Sequence, residues 1–261
     1  MSHSDVPTVS SRRDPLNDSI EIIGHRGYSA RAPENTLPAL EAAIEAGVDA
    51  IEWDIHTAAC GTPVLFHDSM LSRTTNGVGP LHRRTFVQLR GLDAGKWFSD
   101  EFTGVRIPSL REAFGHVRGR VRRVYAEVKG FRELEDVDRM LRVAQEAEMM
   151  EDTVFISLNW TLLDRLRGQE PGVAVGYIVA EADQVEAALD RARDDGRALV
   201  DFRADLLLEA PQIAERAHAD GTTMCVWTVD DPADADRLLA LDVLRFTTNE
   251  VGALLTWKRQ A

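Results

Sequence analysis

Residues 20–56 read IEIIGHRGYSARAPENTLPALEAAIEAGVDAIEWDIH, and this stretch decides the fold. It begins with a short apolar run, Ile20–Gly24, that predicts a β-strand. A helix with one apolar face is predicted next, with Asn35 or Thr36 as its cap. A second apolar run, Ala50–His56, predicts another strand. The stretch is therefore a strand–helix–strand unit of the kind that builds a parallel sheet.

The same alternation continues to the C-terminus and predicts an α/β protein. Further strands are expected at Pro63–His67, Val121–Lys129, Thr153–Leu158, Val173–Val179, Ala198–Phe202, Thr222–Val229 and Val243–Thr247. Helices are expected at Ser109–Val117, Glu133–Glu146, Thr161–Gly168, Glu181–Asp194, Ala210–Ala219 and Pro232–Ala240, with a short closing helix. About eight strand–helix repeats in roughly 240 residues match a TIM (β/α)8 barrel. An open doubly wound sheet is the alternative, but Gly24-His25-Arg26-Gly27 lacks the spacing of a dinucleotide-binding turn.

The regular alternation favours a single domain over residues 20–261 of the 261-residue chain. Residues 1–19 are polar and lack the apolar stretch of a secretion signal, so we expect them to form a flexible tail. Residues 70–107 are rich in turn-forming sequence and interrupt the rhythm after the second strand. We expect this insertion to lie over the barrel mouth as a lid or a wall of a cleft. A functionally neutral surface excursion is the alternative.

Composition and charge exclude several classes of protein. The formal charge is −13, and so acidic a chain is a poor candidate for binding nucleic acid, whose phosphates call for a basic surface. No apolar run is long enough to span a bilayer, and we expect a cytoplasmic protein without stable membrane insertion. The two cysteines, Cys60 and Cys225, do not suit a disulfide framework or a cysteine-based zinc site. An acidic protein that handles an anionic substrate needs local positive charge, which a bound divalent cation would supply.

Acidic side chains collect where predicted strands end. Glu52 and Asp54 are two residues apart on one strand, so both point into the barrel mouth. Glu127 and Lys129 repeat that spacing at the end of the next barrel strand. Three converging carboxylates repel one another unless a cation neutralises them, and hard oxygen ligands suit Mg²⁺ or Ca²⁺. The alternative is that each acid pairs with a neighbouring base, for example Glu127 with Lys129.

Two of the seven histidines lie beside these acids. His25 follows the first strand and His67 follows a short extended piece, and these positions suit general acid and base catalysis near neutral pH. Arg26 and Lys129 add positive charge at the same mouth. We expect them to hold a phosphate, with simple pairing to the carboxylates as the alternative. Trp227, near the end of the seventh barrel strand, is expected to wall the substrate, with core packing as the alternative.

Together these residues resemble the glycerophosphodiester phosphodiesterase family, over a match from about Ile22 to the C-terminus. The matching segments are His25-Arg26-Gly27, Pro33-Glu34-Asn35-Thr36, Glu52-x-Asp54, His67-Asp68, Arg73-Thr74, Glu127-x-Lys129 and Val226-Trp227-Thr228-Val229. The resemblance implies a TIM barrel with a divalent cation. It also implies a small-molecule substrate, a glycerophosphodiester, which is hydrolysed to glycerol 3-phosphate and an alcohol. The sequence does not indicate an oligomeric state.

The resemblance also assigns roles to individual residues. It implies metal ligation by Glu52, Asp54 and Glu127, acid–base catalysis by His25 and His67, and phosphate contacts by Arg26 and Lys129. Two positions depart from the family pattern. Ala59-Cys60-Gly61 replaces a common Lys-Asp-Gly turn, and Asp230 stands where Asn often follows Trp-Thr-Val. The second departure lies at the rim of the expected site and leaves the head-group preference open.

The expected mechanism passes through a cyclic phosphate. The cation binds a phosphoryl oxygen and the neighbouring glycerol hydroxyl, His25 removes the hydroxyl proton, and His67 protonates the departing alcohol. Water then opens the ring while the two histidines exchange roles. Three alternatives stand beside this reading. They are a phospholipase of the phosphatidylinositol-specific or sphingomyelinase D type, a barrel that binds a phosphorylated ligand without turnover, and a lyase with a Schiff base on Lys129.

Overall fold

The computed structural model describes residues 19–193 and 195–261. The expected tail of residues 1–19 therefore lies outside the described residues, apart from Ser19. In the described part of the chain, no helix is both long enough and apolar enough to cross a membrane. Both cysteines are free thiols, with Cys60 exposed and Cys225 buried.

Parallel strands close into a barrel at the centre of the molecule. The strands of the described residues are β1 (Glu21–Gly24), β2 (Ala50–Thr57), β3 (Pro63–Leu65), β4 (Arg123–Gly130), β5 (Thr153–Ser157), β6 (Ala174–Val179), β7 (Ala198–Arg203), β8 (Thr223–Trp227) and β9 (Arg245–Thr248). The ring runs in the order β1-β9-β8-β7-β6-β5-β4-β2, and pairing of β1 with β2 closes it. β3 pairs antiparallel with β2, outside the ring. A closed ring of eight parallel strands confirms the predicted TIM barrel.

Helices surround the barrel and connect its strands. They are α1 (Leu37–Ala46), α2 (Phe86–Arg90), α3 (Leu110–Val117), α4 (Leu134–Glu146), α5 (Trp160–Gln169), α6 (Val185–Ala192), α7 (Ala204–Glu209), α8 (Gln212–Ala219), α9 (Pro232–Leu239) and α10 (Val251–Lys258). Thr36 is the N-cap residue of α1. The sequence did not predict α7, because its short apolar run continues directly from β7 and periodicity does not separate a helix from a strand over so few residues.

Hydrophobic side chains fill two concentric layers. In the outer layer, Trp53 of β2 packs edge-on against Phe114 of α3, with ring centroids 5.3 Å apart. Inside the barrel, Ile23, Tyr125 and Leu199 belong to a separate buried cluster. Successive residues of a strand point to opposite faces, so each strand contributes to both layers. Because the inner layer fills the middle of the barrel, a ligand has room at the carboxyl ends of the strands.

Residues 70–107 form a packed unit that follows β3. They contain α2 and two short 3-10 helices, Leu81–Arg83 and Asp100–Phe102. A third hydrophobic core joins the insertion to its surroundings and consists of Ala58, Val64, Phe66, Leu71, Leu81, Leu89, Ala94 and Ile107. Val64 forms an isolated bridge with Ser109, and the Leu65 amide donates to the Pro108 carbonyl at 3.0 Å. The chain therefore leaves the barrel and returns to it at nearly the same point.

A buried ion network closes the amino-terminal end of the barrel. The Glu21 carboxylate lies 3.2 Å from Arg123 Nε and 3.4 Å from Arg245 Nε, and it accepts a 3.0 Å hydrogen bond from the Tyr125 hydroxyl. Glu21 is only 2% exposed. A charge at this depth is tolerated only when it is paired. Because Glu21, Arg123 and Arg245 are the first residues of β1, β4 and β9, the network ties these three strands together.

We expect Glu21→Gln to lower the free energy of unfolding by about 3–5 kcal/mol, because two buried guanidinium groups lose the carboxylate that they share. Urea unfolding followed by tryptophan fluorescence measures the change. Glu41→Gln is the control, since Glu41 pairs with Arg120 near the surface, where ion pairs contribute little. Equal stability of the two variants would show that the network does not hold the barrel together.

Candidate active site

An acidic cluster forms at the carboxyl ends of two adjacent strands. Glu52 and Asp54 lie on β2, and Glu127 of β4 pairs in register with Asp54. One carboxylate oxygen from each of the three residues lies within 4.8 Å of the others, and all three residues are buried. The two-residue spacing on β2 and the parallel register with β4 bring together the acids that the sequence singled out.

Neighbouring groups hold two of these carboxylates in place. The Asn35 side chain contacts Asp54 twice, because its Nδ2 donates to Asp54 Oδ2 at 2.7 Å and its Oδ1 accepts from the Asp54 amide at 3.0 Å. The Arg26 amide donates to Glu52 Oε2 at 2.9 Å. Arg26 and Asn35 have φ values of 56° and 57°, in the left-handed region that side-chain-bearing residues rarely adopt. The turn between β1 and α1 thus takes an unusual backbone path to reach the acids.

Burial and neighbouring negative charge raise the pKa values of two of the three acids. Burial, and then the charge of Asp54, raises the pKa of Glu52 well above its ordinary value and the pKa of Glu127 to about 8. Burial also opposes the ionisation of Asp54, but Arg26 and Lys129 outweigh it and hold the Asp54 pKa below its ordinary value. One readily ionised acid beside two that retain protons indicates a cluster with too little positive charge nearby.

The donor set of this cluster fits a divalent cation. Lys129 Nζ lies 3.0 Å from Glu127 Oε2 and 3.5 Å from Asp54 Oδ1, so the pairing of acid with base does occur. Among the described residues, however, Glu52 Oε1 and Asp54 Oδ1 are buried without a hydrogen-bond partner. Buried carboxylate oxygens that lack donors are suitable ligands for Mg²⁺ or Ca²⁺. A hard cation would add to the positive charge of Lys129 and of Arg26, whose Nε lies 3.1 Å from Asp54 Oδ2.

A chain of hydrogen bonds orients His25. Asp230 accepts from the Asn249 amide and from Asn249 Nδ2, both at 2.8 Å, which turns Asn249 Oδ1 toward His25. His25 Nδ1 donates to that oxygen at 2.8 Å, so the lone pair of the neutral ring is on Nε2, which lies 3.9 Å from Glu52 Oε2. Burial, and then Arg26, lowers the pKa of His25 to about 4. The ring is therefore neutral at physiological pH and is able to accept a proton.

A second carboxylate orients His67. His67 Nδ1 donates to Asp68 Oδ1 at 2.6 Å, which leaves Nε2 for the cavity that His67 lines. Arg73 of the insertion donates to Asp68 Oδ2 at 2.6 Å and to Glu34 Oε1 at 2.7 Å. The hydrogen bond from Arg73 lowers the pKa of Asp68 to about 2. His56 Nε2 donates to the His67 carbonyl at 3.0 Å and adds a backbone restraint. The insertion thus contributes to the placement of His67.

Glu52, Glu127 and both histidines line one cavity together with the remaining candidate residues. Arg26, Lys129 and Trp227 all line this cavity, which has a volume of about 170 Å³. Trp227 Nε1 donates to the Asp201 carbonyl at 3.2 Å, which anchors the ring. The other lining residues are Ile156, Leu158, Ile178, Asp201, Thr228 and Thr247. One side of the cavity is therefore strongly polar, and the other is mostly apolar.

Sequence reasoning missed the residues that support the site. Asn35 was expected to cap a helix, but its side chain holds Asp54 instead. Asp230 was expected to bear on head-group preference, yet its carboxylate is directed to Asn249. Asp230 and Asn249 lie just after β8 and β9, so the strand-end rule that found Glu52 could have found them. The only signal for Asp201 is that it is an acid within the apolar run Ala198–Phe202.

The chain matches the model of the glycerophosphoryl diester phosphodiesterase family over residues 25–253. It is 29% identical over 243 residues to a glycerophosphodiester phosphodiesterase of Caldanaerobacter subterraneus subsp. tengcongensis, covering 92% of this chain and 98% of the relative. A glycerophosphodiester phosphodiesterase structure from Agrobacterium tumefaciens has a TM-score of 0.76 at 28% identity, covering 90% of this chain and 99% of that chain.

A further structural neighbour is an Oleispira antarctica phosphodiesterase in complex with the product sn-glycerol-3-phosphate. Its TM-score is 0.82 at 26% identity, and the match covers 93% of this chain and 96% of that chain. The family match spans most of the sequence. The structural neighbours share the barrel fold and match nearly the full length of this chain. The chain therefore belongs to the glycerophosphoryl diester phosphodiesterase family and is an enzyme that hydrolyses phosphodiesters.

Proposed function

We propose that this enzyme hydrolyses glycerophosphodiesters to glycerol 3-phosphate and an alcohol, using one divalent cation, Mg²⁺ or Ca²⁺, and two histidines. The observation that carries the proposal is a single cavity lined by His25, His67 and two acids, Glu52 and Glu127, that form a buried cluster with Asp54. The Oleispira antarctica neighbour is bound to sn-glycerol-3-phosphate as its product, which supports the choice of product for this chain.

In this proposal Glu52, Asp54 and Glu127 hold the cation. When bound, the cation would supply positive charge beside the substrate phosphate, which would make the neighbouring glycerol hydroxyl more acidic. The Arg26 guanidinium and Lys129 Nζ line the same cavity, and we assign them to phosphate oxygens. These assignments leave the apolar side of the cavity for the carbon skeleton of the substrate, with the Trp227 ring as part of its wall.

The two histidines transfer protons in two steps. First, His25 Nε2 takes the proton of the glycerol 2-hydroxyl, whose oxygen attacks phosphorus, and His67 Nε2 gives a proton to the oxygen of the departing alcohol. The Asp68 carboxylate stabilises the charged His67 ring before this transfer. A cyclic phosphate results. Second, His67 removes a proton from water, the water oxygen attacks phosphorus, and His25 returns its proton to the 2-oxygen as the ring opens.

We expect a chelator to stop hydrolysis and added Mg²⁺ or Ca²⁺ to restore it, because the acids would otherwise repel the substrate phosphate. Phosphorus NMR on a panel of glycerophosphodiesters, with and without chelator, measures the rate and identifies the product. Glycerol 3-phosphate as the final product supports the proposal. An accumulating cyclic phosphate would indicate a phospholipase-type enzyme instead. Chelator-insensitive binding without turnover would indicate a ligand-binding barrel.

His25→Ala and His67→Ala are each expected to lower kcat by roughly a hundredfold to ten-thousandfold, the usual range for a general acid or base. Cation affinity should change little, since neither histidine belongs to the acidic cluster. Steady-state kinetics and calorimetric cation titration test both statements. His116→Ala is the control, because His116 pairs with Glu41 on the outside of the barrel. Near-normal turnover of either variant with the cation bound would rule out the mechanism.

Cation affinity is expected to rise by about tenfold per pH unit below pH 8, and more steeply where Glu52 also retains a proton. The reason is that the pKa of Glu127 is raised to about 8 in the cation-free protein, so below this pH the cation must displace a proton. Calorimetric titrations at pH 6, 7, 8 and 9, in buffers of different ionisation enthalpy, give the affinity and the number of protons released. Glu127→Gln should weaken both the affinity and its pH dependence. Equal affinity of the unmodified enzyme at pH 6 and pH 8 would contradict the proposed ligand role.

A further inference from the structure

One acid in the cavity has no part in the steps described above. Asp201 lies on β7, and its side chain points into the barrel like that of Leu199, two residues earlier on the strand. Asp201 is 3% exposed and lines the cavity. In the closed ring, β7 is four strands away from β2 in either direction. Asp201 therefore faces Glu52 and Asp54 from the opposite side of the barrel.

The carboxyl group of Asp201 lacks a strong partner. Its Oδ1 is buried and, among the described residues, has no hydrogen bond. Burial raises the pKa of Asp201 to about 7, opposed by the neighbouring Cys225 thiol, which is a weak donor. Glu21 at the other end of the barrel shows the contrast, because its buried carboxylate is shared by two arginines and a tyrosine. A buried polar group left without a partner is unfavourable, which points to a ligand that supplies the missing hydrogen bond.

The surroundings of Asp201 suit a short carbon chain. Ile156, Ile178 and Trp227 form the wall beside it. Beneath this wall a Cβ atom at Gly176 would lie 2.7 Å from side-chain atoms of both Ile156 and Leu199. The side chains of Ile156 and Leu199 therefore fill the barrel interior beneath Asp201. This packing is the floor of the cavity, and the cavity opens at the carboxyl ends of the strands. A group that reaches Asp201 lies at the inner end of the ligand.

We propose that Asp201 binds the terminal hydroxyl of the glycerol moiety, the one remote from the phosphate, and thereby selects diesters whose glycerol is unsubstituted there. This inference rests on the proposed function. With the phosphate at the acidic cluster, the glycerol chain lies along the apolar wall and its last oxygen meets Asp201. The departing alcohol extends from the other side of phosphorus, because nucleophile and leaving group stand in line. Alcohols of different size then leave through the open mouth.

The chemistry of Asp201 favours a hydroxyl over a cationic group. A hydroxyl both donates and accepts hydrogen bonds, so it satisfies the carboxyl group in either protonation state. The ammonium group of a cationic alcohol would need an ionised carboxylate, which burial disfavours at this position. The same burial leaves no path for a long substituent on the terminal oxygen, since the floor beneath Asp201 is closed by Ile156 and Leu199.

Two diesters with the same departing alcohol test the assignment. One carries glycerol, and the other carries propane-1,2-diol, which keeps the 2-hydroxyl and lacks the terminal one. For the unmodified enzyme we expect kcat/KM to be about 10- to 100-fold lower with the propanediol diester. Asp201→Leu, similar in shape but without a polar atom, should lose about the same factor on the glycerol diester and nothing further on the propanediol diester. Asp201→Asn keeps an acceptor oxygen and should retain most of the preference.

Several outcomes would overturn the assignment. The assignment is wrong if the unmodified enzyme hydrolyses both diesters equally, or if Asp201→Leu lowers both rates by the same factor. Thermal unfolding of Asp201→Leu provides the second measurement, and we expect its melting temperature to equal or exceed that of the unmodified enzyme. A much lower melting temperature would show that the carboxyl group is structural. If the proposed function itself fails, the unmodified enzyme hydrolyses neither diester, a result distinct from equal hydrolysis of both.

Discussion

The mutual repulsion of three buried carboxylates is the constraint on which the rest of the site depends. Glu52, Asp54 and Glu127 bring oxygens within 4.8 Å of one another, and the pKa values of the two glutamates are raised in response. Two unit charges about 4 Å apart repel by about 4 kcal/mol at an effective dielectric of about 20. That is a substantial part of the free energy that holds a typical domain together. Rigid strands carry the acids, Arg26 and Lys129 offset part of the repulsion, and the proposed cation would relieve more of it.

Three of the groups assigned to the proposed chemistry are each held by a hydrogen bond to a neighbouring side chain. Asn35 holds Asp54, Asn249 holds His25, and Asp68 holds His67, and all three contacts are shorter than 3.0 Å. The supporting residues come from different parts of the chain, after β1, after β9 and after β3. Catalytic geometry must be held to within a fraction of an ångström, and side chains locked by second hydrogen bonds achieve this. The precision of the site therefore arises where separate loops meet at the barrel mouth.

The strand pattern and the acids were predictable because both follow from local periodicity. A period of two places Glu52 and Asp54 on one face of a strand, and parallel strands bring Glu127 alongside them. The supporting contacts were not predictable in this way. Asn35 and Asp54 are 19 residues apart, and Asn249 and His25 are 224 apart, so these contacts exist only once the ring has closed. Asp201 was hidden for another reason. An acid that points into the barrel lines a cavity only if the packed side chains, here those of Ile156 and Leu199, end below it. The sequence does not show where that packing ends.

The two ends of the insertion meet beside β3. Val64 and Ser109 are bridged, and apolar residues of 70–107 pack in one core with Ala58, Val64 and Phe66, so the insertion can change length without moving a barrel strand. The entropy of closing such a loop grows only slowly with its length. Arg73 limits this freedom, because its contacts with Glu34 and Asp68 tie the insertion to the surroundings of His67. Insertions and deletions within residues 70–107 can therefore accumulate without disturbing the barrel, provided that Arg73 keeps these two contacts.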